Sequence, residues 1–255
     1  MADTDERVSK AAIARRSRER FAVAKRVELD YLRSLRQVAR QIDALVKGMA
    51  PDGQVQDPEA LRQALLTYGQ ALRPWARSVG ERMLASVMRK DEASWIRLGK
   101  QIGQSLRQEL ENAPVGRALN LFLDEQVRLI TSLPVEASER VHALVREGLM
   151  NSTRAAEIQK EIMKTGSVTE SRAKLIARTE VARTASALTM VRAQHVGSTH
   201  YIWRTSEDST VRESHRHMAN TVHAWDKPPE VERGYHYHPG MFPNCRCWPE
   251  PILPE

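Results

Sequence analysis

Up to His195 the apolar residues of this chain recur in steps of three and four, and after Gly197 they no longer do. That break limits the fold more than any other feature. A period of 3.6 puts apolar side chains on one face of a helix, whereas residues 199–205 (THYIWRT) are β-branched and aromatic in rough alternation, the pattern of a strand. Before the break, Ala, Leu, Arg, Glu and Gln dominate, the residues that lose least on entering a helix. After it, prolines accumulate: seven of the 12 lie beyond residue 227, so elements there must be short. The fold class that follows is mainly α. An elongated helical N-terminal region (1–150) is followed by a small α+β C-terminal module, rich in loops (151–255).

Taken in order, residues 1–48 read as one helix on the stripe Val27, Leu32, Leu35, Val38, Ile42 and Leu45, stopped by Gly48. Asp57-Pro58 is an N-cap followed by proline at the first helical position, which predicts a helix from Pro58 to about Arg73. Pro74 interrupts, and pattern resumes from Trp75 to Leu106, with Gly80, Gly99 and Gly103 arguing against an unbroken helix. Separate helices are expected at 117–132 and after Pro134. A short one follows Asn151 and is closed by Gly166 as C-cap, and Ser167 with Glu170 fits a capping box opening a helix to about His195. Small residues along that last helix (Ala173, Ala177, Ala182, Ala185, Ala187) predict very close packing by another element.

The formal net charge of +7 suits an acidic partner, nucleic acid being the commonest. Its densest cluster, Arg15, Arg16, Arg18 and Arg20, either neutralises DNA phosphates or forms a solvated helix face, since Glu19, Glu28 and Asp30 are interleaved. No apolar run reaches the roughly 20 residues needed to cross a bilayer, and the N-terminus lacks the apolar core of a secretory signal, so synthesis in the cytoplasm is expected. Two cysteines one residue apart cannot make a disulfide framework.

Reactive side chains crowd into residues 203–247. Five of the eight histidines (His215, His217, His223, His236, His238) lie there with both cysteines, Cys245 and Cys247. Two thiolates with His215 and either His236 or His238 would complete a tetrahedral zinc set, provided a turn at 244–246 brings the sulfurs together. The bland alternative is two small thiols that pack, with His236 and His238 on a loop. In DSTVRESH (208–215), a helical turn would put Arg212 and His215 at i and i+3 against a common partner. Asp208, Arg212 and His215 suit phosphodiester chemistry, or a salt-bridged module. In ARTE (177–180), Arg178 and Glu180 project about 200° apart on a helix and must serve different neighbours: a phosphate clamp and a base, or ion pairs locking this helix to the C-terminal module.

These pieces in this order (ARTE at 177–180, a strand with Trp203, then Asp208, Arg212 and His215, then PGMFPNCRC ending at Cys247) resemble the phage Mu F-like family of minor head proteins, also called phage head morphogenesis proteins. The resemblance covers roughly 167–251. It implies a virion component, at the capsid interior or portal vertex, packed in several copies. The partners implied are the portal protein and other capsid or scaffold proteins, with double-stranded DNA a further candidate and no membrane. It makes Arg178, Thr179, Glu180, Trp203, Asp208 and Arg212 signature positions, together with His215, Cys245 and Cys247. Some family members carry a toxin domain after this module; with four residues beyond Pro251, none is expected here. The function expected is a non-enzymatic assembly component, with one structural zinc as the cofactor in question. The rival is a nuclease-like phosphodiesterase centred on His215, Arg212 and Glu180.

Overall fold

The structure, a computed structural model, describes the backbone of residues 2–101, 113–151 and 153–254 and the side chains of 25–99, 113–116, 118–148, 150–151 and 153–254. Helices α1 (Ala2–Gly48), α2 (Pro58–Ala71), α3 (Arg73–Gln101), α4 (Val115–Met150), α5 (Ala155–Met163) and α6 (Thr165–His195) precede a tail with β1 (His200–Thr205), α7 (Glu213–His217), β2 (Val222–Ala224), β3 (Glu230–Glu232), β4 (Tyr235–His236) and β5 (Cys247–Ile252). The fold is mainly helical with a small α+β C-terminal module. The side chains of Arg15, Arg16, Arg18 and Arg20 lie outside the described residues, as do Gly103 and Leu106.

The division into compact units follows contacts, not chain order. One unit comprises Met1–Leu29, Met83–Asn120 and Arg178–Glu255; the other comprises Asp30–Arg82 and Leu121–Ala177. Each compact unit draws on both of the regions, 1–150 and 151–255, into which the sequence divides the chain.

The second unit is all helix. Asp57 caps α2, its Oδ1 accepting from the Ala60 amide at 2.9 Å, as the Asp-Pro pair predicts. Leu35, Ile42, Leu61, Leu65, Ile130, Leu133, Val141 and Ile162 are buried to about 1% exposure or less, each contributing about 1.5–3 kcal/mol relative to an exposed side chain. Gln126 is buried among them because the Tyr31 hydroxyl donates to its Oε1 at 2.8 Å.

Four local expectations fail here, decided largely by tertiary contacts. Pro134 does not break the helix: α4 runs through it, because Ile130, Leu133, Ala137 and Val141 form one buried stripe across the proline. The Thr131 and Ser132 hydroxyls also donate to the carbonyls of Val127 and Leu129 in the preceding turn. Gly166 is not a C-cap; Lys164 closes α5, and Gly166 sits in the first turn of α6, where a Cβ would lie 2.5 Å from Asp43 Oδ1. The capping box does not form either. Ser167 Oγ donates to the Lys164 carbonyl, and Glu170 pairs instead with Arg36 and Lys174. Gly80 likewise lies within an unbroken α3, where a Cβ would come within 3.0 Å of Leu123, so it serves close packing and is not a break.

The first unit holds the tail. β1 is central in a three-stranded antiparallel sheet of order β2-β1-β5, with Tyr201, Trp203 and Thr205 on its buried face. The register sets Thr205 opposite Cys247, Trp203 opposite Pro249 and Tyr201 opposite Pro251. Because β5 is an edge strand, its two prolines need not break the ladder. The buried cluster of Tyr201, Trp203, Trp225, Val231, Cys245 and Cys247 is completed by Trp95 from α3 and Ala193 from α6.

Candidate functional site

The loop between β4 and β5 carries Cys245 and leads into Cys247 at the start of β5, and the structure shows how so irregular a stretch is held. Gly240 has φ +85 and packs so tightly on α6 that a Cβ there would lie 2.3 Å from Ser186 Oγ and 3.2 Å from the Ala182 carbonyl oxygen. This is the close approach that the small residues of α6 predict. Beyond Gly240 the chain turns through Pro243 and Asn244, the latter at φ +59, a conformation Asn tolerates better than most residues. The turn comes one residue earlier than the sequence suggested, and it lets a C-x-C pair converge its sulfurs where a straight strand would oppose them.

Four of the motif residues, Arg178, Thr179, Asp208 and Arg212, grip this loop, joined by Arg183 and Ser186. On α6, Ser186 Oγ donates to the Pro239 carbonyl at 2.6 Å and Arg183 donates to that of Met241 at 3.4 Å. Thr179 Oγ1 accepts from the Asn244 amide at 3.0 Å, and Arg178 Nη1 donates to Asn244 Oδ1 at 2.9 Å while pairing with Glu28 at 3.2 Å. Glu180, only 3% exposed, accepts from Arg183 at 3.1 Å. From the other side, Arg212 donates to the Pro243 carbonyl at 3.1 Å and stacks over Phe242. Asp208 accepts from Arg246, between the two cysteines, at 2.7 Å. Burial alone would raise the Asp208 pKa, but hydrogen bonds from Thr210, Ser206 and Arg246 hold it well below the usual carboxylate range. Ser209 does not cap α7; its carbonyl instead accepts from Arg216 at 3.1 Å, while Asp208 Oδ1 accepts from the Thr210 amide.

At the centre of this grip, His215 projects from α7 with 2% exposure. Its Nδ1 lies 3.3 Å from Cys247 Sγ and 3.4 Å from Cys245 Sγ, and both cysteines are free and buried. Among the described residues these three form a cluster whose ligand atoms all lie within 4.8 Å of one another. A hydrogen bond from Cys247, helped by His215, brings the Cys245 thiol down to about 4 against the effect of burial. The same contact, with burial, pushes Cys247 up. On the far side of the imidazole, Nε2 lies 3.2 Å from the Tyr237 hydroxyl and 3.9 Å from Glu232. Glu232 is also 4.0 Å from Arg212, and is thus the common partner that an i, i+3 pair would face. Trp203 packs edge-on to His215, and its buried Nε1 has no oxygen or nitrogen partner.

The histidines named as a fourth ligand are elsewhere. His238 Nδ1 lies 3.0 Å from the Tyr201 hydroxyl, and His236, exposed, is 3.2 Å from the Pro228 carbonyl oxygen. Each is drawn away by its own hydrogen bond. Sequence reasoning missed Glu232, Tyr237 and Ser186, none of which carries a local signal, since each matters only through a contact distant in the chain.

Residues 139–249 match the family described as phage Mu protein F like protein. A protein of Haemophilus influenzae, described as an uncharacterized protein, is 31% identical over 157 residues, 61% of this chain and 34% of the relative. The chain thus spans about a third of the length of the curated relative it matches. No solved structure matches the chain.

Proposed function

We propose that this chain, whose residues 139–249 belong to the phage Mu protein F-like family, is a non-enzymatic minor capsid protein that associates with the portal during head morphogenesis and takes its place in the virion. The observation that carries the reading is the use to which the motif residues are put. Arg178, Thr179, Asp208 and Arg212 spend their polar groups on the loop at 239–247, leaving a fold-locking role and no open catalytic constellation. The rival phosphodiesterase reading needs Glu180 and His215 to reach a substrate, and at 3% and 2% exposure they are packed away from one. The net charge of +7 is compatible with contact to packaged DNA, which belongs to the same proposal.

Copurification tests it. Tagged protein from infected cells should bring down the portal protein and be found in assembled heads. Its absence from both would overturn the reading, and so would DNA or RNA cleavage by the purified protein that a His215→Ala variant loses.

A further inference from the structure

We propose that His215 Nδ1, Cys245 Sγ and Cys247 Sγ are three ligands of a zinc ion. The spacing carries the inference. With Zn–N near 2.05 Å and Zn–S near 2.3 Å, a tetrahedron has N···S edges of about 3.6 Å. The two N···S separations are 3.3 and 3.4 Å, and the sulfurs lie within 4.8 Å of one another where a tetrahedral site needs about 3.8 Å, so an ion fits with shifts of no more than about 1 Å. All three groups are buried, so the ligand set is formed before any ion arrives.

The surroundings satisfy what a ligating histidine and thiolates require. If Nδ1 binds the ion, Nε2 must carry the proton and needs an acceptor. The Tyr237 oxygen, 3.2 Å away, supplies one. The buried Trp203 ring packs edge-on to His215 and helps fix the plane of the imidazole. Two thiolates and a neutral imidazole are a soft set suited to zinc, and the hard cations Mg²⁺ and Ca²⁺ are excluded by it. The ion would join α7 to the first residue of β5, cross-linking positions 215 and 247 in a segment with little regular structure.

The test uses the full chain purified without chelators. Elemental analysis should give one equivalent of zinc, and exchange with Co²⁺ should produce sulfur-to-cobalt charge-transfer absorption together with tetrahedral d–d bands. The Cys245→Ser, Cys247→Ser double variant should lose zinc by at least about tenfold while a His238→Gln variant keeps its full equivalent. A metal-free wild type that shows no charge-transfer band on adding Co²⁺ would leave two packed thiols as the correct description. Equal loss of zinc from the His238→Gln variant would overturn the ligand assignment. Because the Co²⁺ spectrum is read on the unmodified chain, the result stands even where a variant fails to fold, and it is independent of portal association.

Discussion

Among single residues, the buried ion pair of Arg192 and Asp91 tests the packing of α6 on α3 most directly. Their side chains are 4% and 8% exposed, the Nη1–Oδ2 distance is 2.5 Å, and Thr189 adds a hydrogen bond to Asp91 at 2.9 Å. Removing one partner leaves an uncompensated charge in the interior. Asp91→Ala is therefore expected to cost about 3–5 kcal/mol, whereas an Asp91→Leu, Arg192→Met pair should come closer to the parent, because burying the two charges itself costs desolvation. Urea unfolding of the three proteins measures this, and a single variant as stable as the double would refute it. Neither residue could have been chosen from the sequence. Asp91 sits in an ordinary KDEAS run, and its partner lies 101 positions away. By contrast His215, Cys245 and Cys247 were legible in advance, because rare, ligating residue types crowd into few positions. What was not legible is that neither second histidine joins His215: His236 and His238 lie closer in sequence to the cysteines, and hydrogen bonds to Pro228 and Tyr201 hold them elsewhere.

At the level of elements, two histidines against the sheet have titrations that set a pH limit. His223 on β2 and His238 beside Tyr201 both have pKa values lowered, chiefly by burial. A histidine depressed in the folded state binds protons more readily unfolded, so its contribution is fully present above the unfolded value near 6.5 and is lost as the pH falls below it. The urea midpoint should therefore be flat from pH 8 to about 6.5 and decline towards pH 5. A His223→Gln, His238→Gln variant should show a shallower decline, and an unchanged slope would place the titrating groups elsewhere. Elements were legible wherever local and tertiary preference agreed, as in α1, α2 with its Asp57 cap, and β1. They were misread where a contact reversed the local signal. Pro134 is carried inside α4 by a buried stripe, and Gly166 is demanded by Asp43, not by a helix end. A proline or glycine marks a place where the backbone is unusual. Whether the cause is a break or a close neighbour is decided by residues far away in the chain.

For the molecule as a whole, the question is which residues make an independently stable piece. The family match at 139–249 and the change of texture after Gly197 both suggest that the last hundred residues could stand alone. The contacts say otherwise. The cluster around Tyr201 and Trp203 includes Trp95, buried to 3%, with Ile96 and Leu98 packed against it. The same α3 supplies Asp91 to neutralise Arg192, and α1 supplies Glu28 to Arg178, the residue that holds Asn244. In the other unit, the start of α6 relies on Arg36 for Glu170 and on Glu136 for Arg172. A fragment of residues 151–255 therefore leaves Arg192 buried without its carboxylate, opens a Trp-sized gap beside the sheet, and exposes the face of α6 that carries Ala173 and Ile176. Losing one large core aromatic alone costs about 3–5 kcal/mol, comparable to the whole stability of a domain this size. The expected outcome is that 151–255 shows helical far-UV circular dichroism without a cooperative thermal transition, while 1–255 melts cooperatively. A sharp calorimetric transition in the fragment would show that the α3 contacts are dispensable, and that the compact unit is smaller than the one built from three stretches of chain.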